Sequence, residues 1–174
     1  MTQQGRKPNM APVTPHTPPA SPRRLSYVRL SSIRPAGRNP KRHDVDHLVG
    51  LIQEHGFVDI PEADSRTDQL VGGHGRIEAL VYLREHGQPP PEGILTDDDG
   101  EWLVPIIEGW QSRSTAQAEA VGVGLNEATA RGGWDQRELA AVLEDVHADE
   151  PSAFEALDFT AEATNTLADG AEVI

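Results

Sequence analysis

The spacing of apolar residues predicts an amphipathic helix between Asp44 and Gly56. Asp44 is a favourable N-cap residue, and Gly56 is typical of a helix end. Between them, apolar side chains recur at intervals of three and four residues, which is the spacing of one buried helical face. These side chains are Val45, Leu48, Val49 and Ile52.

Two later segments carry helix-start signals. Ser114 with Gln117 forms a capping-box pattern and predicts a helix that runs toward Asn126. Asp135 with Glu138 repeats the same device. The apolar stripe that follows it again has helical spacing and comprises Leu139, Val142, Leu143 and Val146.

Between these helices, short runs of β-branched and aromatic residues predict strands. They lie near residues 27–30 and in the stretches "FVDIPEAD", "QLVGG" and "EWLVPIIEGW". A helix is predicted from about His74 to His86. Residues 87–100, with consecutive prolines and aspartates, predict a surface loop. A Ca²⁺ site in the aspartate run is the weaker alternative, because the other ligands of a calcium loop are missing.

Composition limits the architecture and the chemistry. A chain of 174 residues, 37% of them hydrophobic, predicts one domain, at most with a small appendage. It has no cysteine, which excludes disulfides, thiolate nucleophiles and cysteine-ligated metals. No apolar run is long enough to cross a bilayer and no signal peptide is recognisable. We therefore expect a cytoplasmic protein without a membrane partner.

The net charge of -13 is unevenly distributed. Residues 1–43 hold nine of the 15 basic residues and no acid, whereas the remaining residues hold six basic groups and all 28 acids, a sum of -22. Such an acidic body repels a phosphate backbone. Direct contact with DNA would have to run through the basic N-terminal arm, and the favoured alternative is a solvated tail.

The stretch "VGGHGRIEAL", residues 71–80, joins a predicted strand to a predicted helix. Backbone N–H groups at the start of a helix lack intrahelical partners and, with the helix dipole, attract anions. Gly72, Gly73 and Gly75 remove Cβ atoms that would keep a phosphate away, and Arg76 can add a charged contact. The motif predicts a phosphate cradle. The alternative is a glycine turn that only starts the helix.

Five ordered blocks between about residues 25 and 146 carry a family resemblance. They are "LSSIRPAGRNPKRH", "DHLVGLIQEHGF", "QLVGGHGRIEAL", "VPIIEGW" and "LNEATARGGWDQREL". The chain resembles the ParB/sulfiredoxin superfamily, in particular ParB-like nuclease-type domains of phages, mobile elements and methyltransferase fusions. The resemblance implies an α+β (α/β) fold, with a small mixed sheet packed with helices and followed by C-terminal helices.

It also implies that the chain binds a nucleoside triphosphate, CTP or ATP, together with Mg²⁺. Carried over residue by residue, it assigns the triphosphate to the glycine–arginine motif and to two other blocks. Asn126 resembles the asparagine that helps to place Mg²⁺, with a plain helix end as the alternative. The assigned binding residues are Asn39, Lys41, Gly72, Gly73, His74, Gly75, Arg76 and Asn126.

The resemblance leaves the enzymatic role open. His74 falls where a sulfiredoxin needs its catalytic cysteine, so that activity is excluded. "GHGR" resembles the pattern of free serine kinases, in which His74 and Arg76 would stabilise the transferred phosphoryl group. Leu125 stands where hydrolysing partition proteins carry a carboxylate, which Glu127 would have to replace. His74 and Glu127 are thus the catalytic candidates, and His74 as a hydrogen-bonded turn residue is the alternative.

For the carboxylate base that a kinase needs, Glu54 and Asp59 are the candidates. A weak NTPase or kinase and a nuclease are therefore the enzymatic alternatives. His43 with His47 has the spacing of a metal pair, but no third ligand stands at useful spacing. We interpret that pair as chance.

The favoured hypothesis is a nucleotide-dependent switch or accessory factor in DNA-related processes. It would change its association with a partner protein or with a second copy, as a homodimer. The predicted organisation is a disordered, basic, proline-rich arm over residues 1–22, a nucleotide-binding domain over 23–112 and a helical extension over 113–174, which ends in one or two short helices. A helix-turn-helix domain that reads DNA in partition proteins is not recognisable in this sequence.

Overall fold

The computed structural model describes residues 21–159, in which strands and helices are mixed as the predicted fold class requires. The strands are β1 (Arg24–Arg29), β2 (Glu62–Asp64), β3 (Gln69–Gly72), β4 (Leu95–Thr96) and β5 (Trp102–Trp110). The helices are α1 (Val45–His55), α2 (His74–Glu85), α3 (Thr115–Gly132), α4 (Gln136–Asp149) and α5 (Pro151–Ala156). A single 3-10 turn, Leu30–Ser32, follows β1.

Strand β5 is the centre of one mixed sheet. It pairs antiparallel with β1 along one edge and parallel with β2 along the other, and β3 extends the sheet beyond β2. The short strand β4 pairs antiparallel with the start of β5. The small mixed sheet expected from the resemblance is therefore present.

The hydrophobic core lies between this sheet and helix α2. Leu80 and Leu83 of α2 are almost fully buried against the core together with Val104 and Ile106 of β5. Each such aliphatic side chain contributes roughly 1.5–3 kcal/mol by leaving water. Helix α1 packs on α2 and adds Ile52 to the same cluster. Helix α2, which begins at the glycine motif, is thereby held by the hydrophobic core.

The predicted helix starts are confirmed, because each depends on local contacts. The Asp44 side chain accepts a hydrogen bond from the His47 N–H, and Gly56 caps the other end of α1 with a positive φ. Ser114 accepts from the Gln117 N–H at the start of α3. Asp135 accepts from two backbone N–H groups at the start of α4.

Four expectations differ from the structure. Only the end of "FVDIPEAD", Glu62–Asp64, is a strand, because Pro61 just before it has no N–H to donate to a strand ladder. The loop 87–100 contains the short strand β4. Val142 lies in the predicted apolar stripe but is exposed. Helix α3 continues to Gly132, so the interpretation of Asn126 as a helix end is wrong.

The two ends of the chain are described only in part. Helices α4 and α5 share a second hydrophobic cluster of Ala140, Leu143 and Phe154, and α5 also packs against α1. The predicted arm over 1–22 lies outside the described residues except for its last two, and so does the end of the predicted C-terminal extension, 160–174. None of the helices in the described ranges has the length and apolar character of a membrane span.

Candidate functional site

A cleft of about 650 Å³ opens between α1, the start of α2 and the middle of α3. Its volume falls within the range of ordinary small-molecule sites, about 300–1,000 Å³. Three separate segments of the sequence meet there. All eight residues that the sequence assigned to nucleotide binding line it: Asn39, Lys41, Gly72, Gly73, His74, Gly75, Arg76 and Asn126.

The start of helix α2 forms one wall of the cleft. Gly73 is its N-cap, with a left-handed φ of 88° that turns the chain from β3 into the helix. The Ile77 N–H donates to the Gly73 carbonyl at 3.2 Å, which is the first bond of the helical ladder. The N–H groups of His74, Gly75 and Arg76 precede that ladder, so this wall presents the positive end of a helix.

Of the three glycines in the motif, Gly72 alone leaves the open space that a phosphate would need. A Cβ atom at Gly72 would meet nothing within 4 Å, whereas one at Gly73 would lie 2.8 Å from Pro61 Cβ. A Cβ at Gly75 would lie 2.8 Å from both His43 Cγ and Leu48 Cδ1. Gly73 and Gly75 therefore serve the turn and the packing of α2 on its neighbours, and only Gly72 leaves open space for a ligand.

Arg76 is held in place by Asp59. Its Nη1 donates to the Asp59 backbone carbonyl at 2.6 Å and also pairs with the Asp59 carboxylate. The Arg76 side chain is 22% exposed and the Asp59 side chain 79% exposed. Both residues line the cleft. The carboxylate therefore neutralises part of the charge that an anionic ligand would use, while its exposure leaves it free to turn away.

His74 is locked in one tautomer by a backbone contact. The Ala36 N–H donates to His74 Nε2 at 3.0 Å, so the proton of the neutral ring is on Nδ1. Burial lowers the pKa of His74, the nearby His43 lowers it further, and Glu78 acts in the opposite direction. His74 is thus a neutral ring that has one N–H donor to offer and whose Nε2 is already in use.

His43 lines the cleft, although the sequence pattern offered it only as half of a metal pair with His47 that we interpreted as chance. Its ring is parallel to that of His74 with the centroids 6.4 Å apart, and its Nδ1 is 3.1 Å from Glu78 Oε2. His43 faces α2, and no three metal-ligating side chains form a group anywhere in residues 21–159. The closeness of His43 to Gly75 had no sequence signal, because it depends on how two helices pack.

The charge of the cleft differs from that of the chain as a whole. Three lysine or arginine side chains, Lys41, Arg42 and Arg76, line it against two aspartates, Asp44 and Asp59. Asn39 shapes the first of these segments, since its Oδ1 accepts from the Lys41 N–H at 3.2 Å. A chain with a net charge of -13 thus has a cleft with an excess of cationic side chains, as anion binding requires.

Asn126 reaches the cleft from the opposite wall, on α3. One N–H of its Nδ2 donates to the Gly122 carbonyl at 2.8 Å, which orients the amide, and its oxygen is the atom that could bind a cation. Mg²⁺ prefers oxygen ligands and commonly takes only one or two from the protein besides those of a bound phosphate. The amide oxygen of Asn126 fits that use as a single ligand.

Two other candidates lie outside the cleft lining. Glu127 pairs with Arg131 along α3 at 2.7 Å. Glu54 accepts a bond from the Ser152 hydroxyl at 2.6 Å. Of the carboxylates considered as a base, Asp59 is the one that lines the cleft.

Four of the seven basic residues in the described range 21–43 form ion pairs with the acidic body. Arg23, Arg24, Arg29 and Arg38 contact Glu62, Glu108, the Asp97–Asp99 pair and Glu119, respectively. The aspartate loop therefore contacts Arg29, and its Asp97 also accepts backbone N–H bonds from within the loop. These contacts occupy positive charge that residues 23–43 could otherwise offer to DNA.

Comparisons with known proteins show the fold. The chain is similar to a crystal structure of the C-terminally truncated chromosome-partitioning protein ParB from Caulobacter crescentus complexed with CTP-gamma-S, with a TM-score of 0.50 and 14% sequence identity. The match covers 84% of this chain and 85% of that one. No protein-family model matches the chain and no curated protein matches it. The ParB-like fold expected from the sequence is confirmed.

Proposed function

We propose that the chain binds a nucleoside triphosphate in the cleft between α1, α2 and α3. Binding fixes the position of α3 against α2, and this change acts as the switch. The observation that carries this proposal is the meeting of all eight nominated residues around one cleft with an excess of cationic side chains. The ParB-like fold supports it, because the similar ParB structure holds CTP-gamma-S. CTP is therefore the first ligand to test, and ATP the second.

In this proposal the phosphates lie against the start of α2. The N–H groups of His74, Gly75 and Arg76 donate to phosphate oxygens, and Gly72 provides the space. Arg76 exchanges the Asp59 carboxylate for a phosphate oxygen and keeps its bond to the Asp59 carbonyl. Lys41 and Arg42 add charge from the segment before α1.

Mg²⁺, when bound, would neutralise charge between the phosphates, and the Asn126 amide oxygen would contribute one ligand. Because Asn126 is on α3, a ligand held between α2 and Asn126 joins the two walls of the cleft. Joining the walls is the event through which the nucleotide would change the association of the chain with a second copy or with a partner protein. Such a partner would bring the acidic body to DNA.

Isothermal titration calorimetry with CTP, ATP and GTP, with and without Mg²⁺, tests the proposal. We expect saturable binding of at least one nucleotide, and a loss of about tenfold or more in Arg76→Ala, since hydrogen bonds to charged groups are the strong ones. Arg137→Ala, on the exposed side of α4, is the matched control and leaves the affinity unchanged. Absence of binding by all three nucleotides, or equal binding by Arg76→Ala, contradicts the proposal.

A phosphotransferase is the second candidate, and the position of Asp59 in the cleft lining favours it. Asp59 would act as the base that accepts the proton of an acceptor hydroxyl, and His74 would donate its Nδ1–H to the transferred phosphoryl group. Release of ADP should then depend on an added small-molecule hydroxyl acceptor and be lost in Asp59→Asn. ADP formation at the same rate without an acceptor contradicts this candidate.

A further inference from the structure

Helix α3 lines the cleft without being packed into the core. It has 18 residues and none of them is buried. Among the described elements its main contact is β3, where a Cβ atom at Gly122 would lie 3.3 Å from the Val71 carbonyl oxygen. Even so, α3 supplies Gly122, Leu125, Asn126 and Thr129 to the cleft. The orientation of α3 must therefore be determined by contacts other than buried apolar packing.

The Arg38–Glu119 ion pair on α3 itself is exposed, whereas the buried polar contacts lie just before α3 begins. Asp64, at the end of β2, is only 1% exposed, and Ser112, three residues before the first residue of α3, is also buried. Asp64 Oδ2 accepts the Ser112 hydroxyl at 2.6 Å, and Asp64 Oδ1 accepts the Ser112 N–H at 2.9 Å. A buried carboxylate is stable only with such partners, so this contact fixes the chain leading into α3.

Arg66 makes a second tie from the same turn. Its Nε donates to Ser112 Oγ at 2.8 Å, and its Nη2 lies 3.5 Å from the hydroxyl of Thr115, the first residue of α3. The turn itself is fastened to β5, because the Ser65 N–H donates to the Trp110 carbonyl at 2.8 Å. The start of α3 is thus bound to the sheet through one polar cluster, formed by Asp64, Arg66 and Ser112.

We infer that Asp64, Arg66 and Ser112 form a clasp that positions α3 over the cleft, and that Asp64 and Ser112 are positioning residues for the ligand contact of Asn126. The inference rests on the proposed nucleotide site. The clasp itself touches no ligand, since none of its three members lines the cleft. It acts by directing α3, along which Asn126 is the twelfth residue.

Ser112→Ala is the variant that tests the clasp, because it removes the hydroxyl and leaves the backbone contact in place. Thr67→Ala is the matched control: the Thr67 hydroxyl donates to the same Asp64 oxygen at 3.1 Å, but from within the turn and away from α3. The first measurement is amide hydrogen exchange in α3 and in α2. The second is the affinity for CTP in a double-mutant cycle with Asn126→Ala.

We expect exchange in α3 to rise roughly tenfold in Ser112→Ala, the effect of losing a hydrogen bond to a charged group, while α2 is unchanged. Thr67→Ala should leave α3 as in the wild type. Affinity should fall by a similar factor in Ser112→Ala. In the Asn126→Ala background the same change should have no further effect, because the residue that the clasp positions is already gone.

Unchanged exchange in α3, or a rise shared equally by α2 and α3, overturns the inference, since the cluster would then serve the fold as a whole. Additive losses of affinity in the cycle overturn it as well. If the wild-type protein binds no nucleotide, the proposed function fails, and the positioning of a ligand contact fails with it. The exchange data then still decide whether the clasp holds α3.

Discussion

The α2 wall of the cleft is packed against the hydrophobic core, whereas the α3 wall is held by polar contacts. Leu80 and Leu83 of α2 are almost fully buried, and the start of that helix fits tightly against α1 at Gly75. Helix α3 has no buried residue. One wall is thus held by the hydrophobic core and the other is not, and the proposed switch depends on this difference.

The largest expected effect comes from disturbing the packed wall with Gly75→Ala. The new Cβ atom would lie 2.8 Å from His43 Cγ and Leu48 Cδ1, so these two side chains, which pack against α2, must shift. Overpacking of this kind costs about 1–3 kcal/mol in the free energy of unfolding. Urea denaturation measures the change.

Gly124→Ala, on α3, is the matched control for that prediction, because a Cβ atom there meets nothing within 4 Å. An exposed helical glycine replaced by alanine gains up to about 1 kcal/mol. The same substitution should therefore have opposite signs on the two walls. A stable Gly75→Ala protein would show that the α2 wall is not tightly packed.

The next effect concerns the contact between Arg76 and Asp59. Asp59→Asn removes the charge that competes with a phosphate for Arg76 but keeps the backbone carbonyl that orients the guanidinium. We expect the affinity for a triphosphate to rise up to about fivefold, in line with the roughly 1 kcal/mol upper energy of an exposed ion pair. Asp145→Asn, at an exposed position of α4, is the control. Weaker binding by Asp59→Asn would assign the carboxylate a role in holding the ligand.

A smaller effect is expected from pH, and it also separates the two walls. The pKa of His74 is lowered by burial and by His43, so the folded state favours the neutral ring. The contribution of neutral His74 to the free energy of unfolding is fully present above the unfolded pKa of about 6.5. It is lost as the pH falls through the lower folded pKa. Non-titrating His74→Gln should lose less stability than the wild type between pH 7.5 and 5. Equal losses would contradict the assignment.

On the α3 wall the titrating group is Asp64. Burial acts to raise its pKa, but the bonds from Ser112, Arg66 and Thr67 outweigh this effect and lower it. Its contribution is present above the unfolded carboxyl value of about 4 and is lost only as the pH falls through the lower folded pKa. Acidification to pH 5 should therefore weaken the α2 wall first and leave the clasp intact. Hydrogen exchange in α3 at pH 5 measures this.

The sequence predicted best those features that depend on neighbouring residues. Asp44, Ser114 and Asp135 cap their helices as expected, because an N-cap bonds to an N–H two or three residues away. The grouping of the nominated residues around one cleft followed from the family resemblance. The helix caps needed no knowledge of how distant parts of the chain pack together, whereas the grouping did, and the resemblance supplied it.

The contacts that the sequence missed join residues far apart in the chain. Asp59 with Arg76, His43 with Gly75, and Asp64 with Ser112 each depend on the packing of two elements. Glycines show this most clearly, since the sequence cannot tell whether the missing Cβ faces a ligand or a neighbouring side chain. In "VGGHG" only Gly72 faces open space.

The most direct test of the central claim is an NMR titration of the ¹⁵N-labelled chain with CTP and Mg²⁺. If the cleft binds the phosphates, the largest amide shifts should fall on His74, Gly75 and Arg76, with a second group along α3 around Asn126. The amides of α4 should move little. Saturable binding with shifts confined to surfaces outside the cleft, or no shifts at all with CTP or ATP, would contradict the account.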